Sequence, residues 1–357
     1  MLGRHTEAMA QMQLLKPPHL SAGDTIGIFT PSTPANVIFR EKYLHGLEVL
    51  RRLGFGVVEG ELTGRCSTEG YRSGSPRQRA REFMTLILDP EVKGLMATMG
   101  GSNSASMIPH LDFDAIRAHP KVICGYSDVT SLHLAILALA GVRTFYGPAV
   151  VPSFSEWPDV LEETRDSFLQ AVWKHRSGRR ELTPPKRWSN HFRDAKTDAW
   201  KTEARRFEDN PGWRSLRRGL ARAPVVVANL ETLVAAAGTP YFPALEGNIL
   251  LIEELRVRYS FEERALRQLE RIGVFDTITG LIVGNPEFLD PEGAPFSYED
   301  LILEIVGADR PYPIITNFDC GHTHPMLTIS EMTQVTFKAG EGFDGCVVVE
   351  EPMVDVP

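Results

Sequence analysis

Lys121-Val122-Ile123-Cys124-Gly125-Tyr126-Ser127-Asp128-Val129-Thr130-Ser131-Leu132-His133-Leu134-Ala135-Ile136-Leu137 reads as a strand, a sharp turn and a helix. The apolar run Val122 to Cys124 suits a buried parallel strand, Gly125 permits the turn, and Leu132, Ile136 and Leu139 recur at helical spacing. Ser127 then sits at the tip, where a hydroxyl projects above the sheet edge and the first helical amides point at whatever it attacks. That is the placement of a nucleophile, although the usual elbow G-x-S-x-G has glycine where Val129 stands. The same Ser-Asp pair also reads as a helix N-cap.

Upstream, Gly23 to Phe29 is a short apolar strand running into a Pro- and Ser-rich loop, and Met1 to Lys16 reads as a frayed extension without a continuous apolar core for secretion. Phe39 to Leu53 places Leu44, Leu47, Leu50 and Leu53 on one helical face, and Gly54 stops it. A strand at Phe55 to Val58, a helix at Arg77 to Leu88 and a strand at Gly94 to Met99 follow. The last runs into Gly100-Gly101-Ser102-Asn103-Ser104. Strands alternating with helices predict a parallel α/β sheet, with ligands beyond the carboxyl ends of its strands. The Gly-Gly loop and Ser127 both lie at such ends.

Val142 to Tyr146 closes this domain and the helix Leu161 to Trp173 leads out of it. A second domain opens at Pro224 to Leu230. Its strand Gly247 to Leu255 carries the paired carboxylates Glu253 and Glu254 at its end, and a helix at Phe261 to Ile272 and a strand at Ile278 to Gly284 follow. After the helix Tyr298 to Val306, the strand Pro313 to Asp319 delivers Cys320-Gly321-His322-Thr323-His324-Pro325. Cys320, His322 and His324 alternate as strand neighbours on one face would, so a zinc site and a general base are both readings of this loop. No second Cys or His pair stands at zinc spacing, and no metal is expected.

A chain of 357 residues suits two domains. The expected division is 17–160 for the domain with the nucleophile, 161–222 for a linker or lid, and 223–357 for the domain with the acid and the histidine. No run of eighteen apolar residues appears, which argues against a membrane span. The 4 cysteines are far apart in sequence, which argues for reduced thiols in a cytoplasm. Net charge is −8, yet residues 174–222 hold 15 Lys and Arg against 6 Asp and Glu. This basic, aperiodic insert reads either as a solvated surface or as a lid attracting an anionic substrate, and no nucleic-acid motif accompanies it. Its tryptophans Trp188, Trp200 and Trp213 stack planar ligands or anchor the loop, anchoring being the expectation for most. Without a Walker or G-x-G-x-x-G loop, no nucleotide cofactor is expected.

The chain resembles the LD-carboxypeptidase family of serine peptidases and, within it, the microcin C immunity branch. The resemblance runs from about Gly23 to Val349. It rests on Gly125-Tyr126-Ser127-Asp128, Thr144-Phe145-Tyr146-Gly147-Pro148-Ala149, Asn229-Leu230 with Gly238-Thr239-Pro240-Tyr241, Ile249-Leu250-Leu251-Ile252-Glu253 and Asp319-Cys320-Gly321-His322-Thr323-His324-Pro325. It implies Ser127 as nucleophile, Glu253 as orienting acid, His322 as base, and an oxyanion hole from the amides of Asp128 and Gly101. It also implies an amidotransferase-like parallel α/β domain joined to a swivelling β/β/α domain, a homodimer, and no cofactor. The immunity branch cuts the amide or acyl-phosphoramidate link between an aspartyl group and a nucleotide-like moiety. The murein branch instead releases a terminal D-alanine. Asn103, Trp188, Trp213, Arg256 and Arg258 are the residues expected to meet the substrate.

Two departures stand out: Val227-Ala228 replaces a Gly-Gly pair, and Ser330-Glu331-Met332 replaces a Pro-Ile-Gly-like turn. Both bear on pocket shape near Asn229 and His322, hence on substrate more than on reaction. Two other classes are weaker: a non-catalytic binding protein, which leaves the filled triad positions without a purpose, and a thiol enzyme using Cys124, which sits inside an apolar strand.

Overall fold

The computed structural model describes residues 13–173 and 178–356. The quoted stretch forms the strand Val122–Gly125, a single 3-10 turn over Ser127–Val129, and the helix Thr130–Ala140. That strand is third in a six-stranded sheet, in the order Ile329–Ser330, Phe145–Tyr146, Val122–Gly125, Val92–Ala97, Thr25–Phe29 and Gly56–Glu59. Every pair is parallel except the first, where Ile329–Ser330 runs antiparallel to Phe145–Tyr146. One edge of the amino-terminal sheet is thus supplied by the far end of the chain.

The second sheet has eight strands in the order Arg180–Leu182, Gly345–Val349, Thr333–Ala339, Gly219–Asn229, Ile249–Glu253, Gly280–Gly284, Ile314–Phe318 and Arg214–Arg217. Its core from Gly219–Asn229 to Ile314–Phe318 is parallel, flanked by antiparallel partners. The fold is a two-domain α/β fold with mixed sheets, as the alternation of strands and helices predicts. Residues 161–222 supply both outer strands of this second sheet, although the sequence presents 176–222 as aperiodic. Strands of three and four residues at a sheet edge are too short to carry a period.

The helix Thr130–Ala140 explains how the two sheets share one site. It is apolar on all sides, as a helix must be when no face meets water. Leu132, Ala135 and Ile136 pack into the amino-terminal core, whereas Leu134 packs with Val226, Ala228 and Leu250 of the second domain. Gly141, at φ +63, ends the helix in the left-handed conformation that glycine adopts without strain. The capping box of Ser75 and Gln78 starts the helix Pro76–Leu88 in the complementary way.

Of the expected extension, the described residues, from 13 on, are not frayed. Residues 1–12 lie outside the described residues, but Leu15 bridges Val142 and its amide bonds Gly141 O at 2.8 Å. Lys16 pairs with Glu351 at 2.6 Å, so the chain is tied down from that point on. The two sequence departures meet each other at the junction of the sheets. The Val227 amide donates to Glu331 Oε2 at 3.0 Å, and the Met332 amide donates to Val225 O at 2.7 Å. Neither lines the cavity described next.

Candidate active site

Ser127 is held at φ +64, a left-handed conformation that strains any residue with a Cβ. The strain is confined to a turn pinned on both sides. The Ser127 amide donates to Tyr146 Oη at 3.1 Å, and the Asp128 carboxylate accepts the amides of Asn103 and Ser104 at 2.9 Å each. The 3-10 turn and the helix Thr130–Ala140 have no side-chain cap, so the hydroxyl of Ser127 is not spent on capping. Asp128 is instead the bracket that binds the Gly-Gly loop to the Ser127 turn. That loop comes very close: a Cβ placed on Gly100 would lie 2.9 Å from Ser127 Cβ and 3.2 Å from the Asp128 amide nitrogen. Gly101 is equally confined, against the hydroxyls of Ser32 and Thr33.

Glu253 ends the central strand Ile249–Glu253 and is buried, 2 % exposed. One carboxylate oxygen meets His322 Nδ1 at 2.7 Å, and the other accepts a short hydrogen bond from Tyr146 Oη. A single tyrosine therefore links the backbone of Ser127 to the carboxylate that bonds His322. Asn229, in register with Glu253 on the neighbouring strand, turns its amide toward the same carboxylate. Glu254 faces elsewhere. It accepts the amides of Glu231 and Leu255 and the side chain of Asn229, and burial, then the charge of Glu253, pushes its pKa up to about 7.

His322 is buried, and its ring packs edge-on against Tyr126 with centroids 4.9 Å apart. Burial works to lower its pKa, but Glu253, with Glu287 and Glu254 behind it, outweighs burial, and the imidazole lies above its ordinary value. Cys320, by contrast, is fully buried and its thiol is driven well up by desolvation. Cys124 behaves likewise at the end of its strand, which leaves a thiol mechanism no thiolate.

Ser127, Gly100, Gly101, Tyr126, His322 and His324 line one cavity of about 510 Å³ between the two domains. Of the residues expected to meet substrate, Arg256 is on its wall, its guanidinium 5.9 Å from the ring centroid of Phe288. Arg258 is not. Two residues along the same strand, it pairs with Glu292 at 2.6 Å and lies over Phe261. Trp213 is fully buried, with Nε1 donating to Asp319 at 2.9 Å and its ring 4.5 Å from that of Phe318; it anchors the insert. Trp188 sits half-buried in a short strand pair with Glu208, off the cavity wall. Asn103 lies behind the Gly-Gly loop, its carbonyl held by Arg79 at 3.1 Å.

The cavity also carries residues the motifs did not single out: Lys42, Arg193, Arg205, Glu287 and the Phe192–Phe288 ring pair, with centroids 6.2 Å apart. Glu287 had a legible signal, because it stands just past the strand Gly280–Gly284, where α/β sheets place ligands. Burial pushes its pKa up to about 7. Lys42 had none, since nothing in a helical stripe tells a buried lysine from a solvated one.

Comparison with known proteins agrees with this architecture. The LD-carboxypeptidase N-terminal domain matches residues 26–147 and the C-terminal domain matches residues 222–336. The microcin C7 self-immunity protein MccF of Escherichia coli is 38% identical over 322 residues, covering 90% of this chain and 92% of that one. The structure of MccF in complex with aspartyl sulfamoyl adenosine superposes with a TM-score of 0.88 at 34% identity, over 96% of this chain and 100% of that one. An MccF-like protein from Bacillus anthracis superposes at 0.82 with 29% identity, over 94% and 99%. With both family domains in place on the same two sheets, the chain belongs to the LD-carboxypeptidase family of peptidases.

Proposed function

We propose that this protein is a serine amidase that hydrolyses aminoacyl or peptidyl nucleotides, the bond cut being the amide-type link between an acidic aminoacyl group and a nucleotide-like moiety. The observation that carries the reading is the Glu253–His322 contact of 2.7 Å facing the cavity that Ser127 lines. His322 Nε2 takes the Ser127 proton as Oγ attacks the carbonyl, while Nδ1–H stays bonded to Glu253. The oxyanion turns toward the amides of Gly101 and Asp128. Collapse expels the leaving nitrogen, which takes its proton from His322, and water frees the acyl group by the same route in reverse. The cations on the cavity wall and the ring pair of exposed Phe192 and half-buried Phe288 suit an anionic, planar leaving group. A cytoplasmic enzyme acting as a homodimer fits the family resemblance.

Incubation with aspartyl sulfamoyl adenosine and, separately, with a murein tetrapeptide, each followed by mass spectrometry, tests this. Release of aspartate from the first supports the reading. Release of D-alanine from the second, with the first intact, replaces it by the murein reaction.

Two further results are expected from the same geometry. Because His322 titrates above its ordinary value, kcat/KM should fall as pH drops through a midpoint above about 6.5. Tyr146→Phe removes one donor from Glu253; a carboxylate with fewer donors holds the imidazolium more strongly, so that midpoint should move to higher pH and kcat should fall about 10–100-fold. A role in packing alone would lower the melting temperature without moving the midpoint. Gly100→Ala sets a methyl against Ser127, and the displaced turn should cost about 10²-fold in kcat with KM little changed.

A further inference from the structure

Lys42 lies on the helix Arg40–Arg52 and is 8 % exposed, yet its ammonium forms no hydrogen bond or ion pair with the described residues. Its stem is buried while its nitrogen keeps contact with the cavity, and a largely desolvated ammonium without a partner is costly unless something offsets it. The carboxylate whose charge acts on it most strongly is already spent. Glu156 binds Arg193 through one oxygen and Arg205 through the other, the latter at 2.8 Å. Both guanidiniums line the cavity as residues, although their Nε atoms, which lack a partner, are sealed from it. Lys42, Arg193 and Arg205 all line the cavity that holds Ser127. Lys42, unpaired among the described residues, and two guanidiniums that share one carboxylate thus face the cavity, whose lining also includes the carboxyl groups of Asp194 and Glu287.

We propose that Lys42, Arg193 and Arg205 form a seat for the oxoanion of the substrate, a phosphoryl or sulfamoyl group next to the bond cut at Ser127. The proposal deepens the reading of the cavity given above and rests on it for the identity of the anion. Guanidiniums and an ammonium held in a dry wall bind such a group by charge-assisted hydrogen bonds, the strong class. Burial lowers the Lys42 pKa to about 8, the charge of Glu156 and then of Glu287 opposing it while Arg205 and Arg193 add to it. His324, also on this wall, is itself kept neutral by burial and these cations. An arriving anion restores the lysine's charge, so binding at pH 8 should draw in about half a proton.

The test is calorimetric titration of adenosine monophosphate, adenosine and inorganic sulfate into the wild type and Lys42→Met, at pH 8 in two buffers of different ionisation heat. The wild type should bind the monophosphate at least about tenfold more tightly than adenosine, with proton uptake. The variant should lose that advantage and the uptake while keeping its affinity for adenosine and its melting temperature. An advantage and an uptake that survive in Lys42→Met overturn the seat, as does a variant that melts lower and loses adenosine as well. If the wild type takes sulfate with proton uptake but no nucleotide, the seat stands and the nucleotide reading falls; no uptake with either anion overturns the seat.

Discussion

Ser127→Ala should abolish hydrolysis of aspartyl sulfamoyl adenosine, lowering kcat by at least about 10⁴-fold, with substrate affinity and melting temperature nearly unchanged. The size follows from what is removed. Without Oγ there is no acyl-enzyme, and the oxyanion amides and the bound geometry alone sustain only a remnant of the rate. The stability forecast is separate physics. Ser127 Oγ supports no helix cap, and the turn is held through the Ser127 amide on Tyr146 and the Asp128 carboxylate on the Gly-Gly loop, none of which the substitution touches. Alanine keeps the Cβ, so the strain at φ +64 stays as it is. A variant that unfolds, or one that retains turnover within tenfold of the wild type, contradicts the assignment of Ser127.

What could be read from the chain, and what could not, divides along physical lines. Ser127, Glu253 and His322 were legible because each follows a buried apolar strand that ends in punctuation, and the carboxyl ends of such strands are where α/β sheets place chemistry. The cross-links were not. Nothing local says that Tyr146, in a two-residue strand of the first sheet, spans from the Ser127 amide to a carboxylate on the other sheet. The basic insert misleads in the opposite way. Its charge suggests a field for anions, but much of it is spent internally: Arg217 on the carbonyls of Gly307 and Arg310, Arg214 on Glu299, Arg218 on Glu341. Trp213 sits among those arginines in sequence and in the core in space, because Asp319 satisfies its indole N–H. Among the described residues of the insert, Arg193, Lys196 and Arg205 bring positive charge to the cavity, Arg193 and Arg205 sharing Glu156 of the first domain as counter-ion.

Glu253→Gln is the more discriminating substitution, since it preserves shape and removes one charge. Turnover should fall about 10³–10⁴-fold while the substrate's Kd changes little, the pattern of a triad whose imidazole is held in the wrong tautomer. Each contact of Glu253 contributes to that loss. One oxygen accepts from His322 Nδ1 and the other from Tyr146, so both neighbours act as donors toward it. A glutamine has one acceptor and one donor. If its carbonyl faces His322, its NH₂ confronts the Tyr146 hydroxyl, which must reverse and release the Ser127 amide or leave a buried donor unpaired. If its NH₂ faces His322, Nδ1 must accept and the proton moves to Nε2, where it blocks abstraction from Ser127. Removing the charge also withdraws what raises the His322 pKa against burial, so the residual activity should lose its acid limb at lower pH than the wild type. Pairing the variant with Tyr146→Phe separates the two accounts. If the Tyr146 conflict contributes, the double variant should recover part of the rate, because the phenyl ring no longer competes for an acceptor. Strict additivity of the two losses would leave the imidazole tautomer as the whole cause. Full turnover in Glu253→Gln would move the acid to Glu254, whose carboxylate would then have to leave the amides of Glu231 and Leu255 to reach His322.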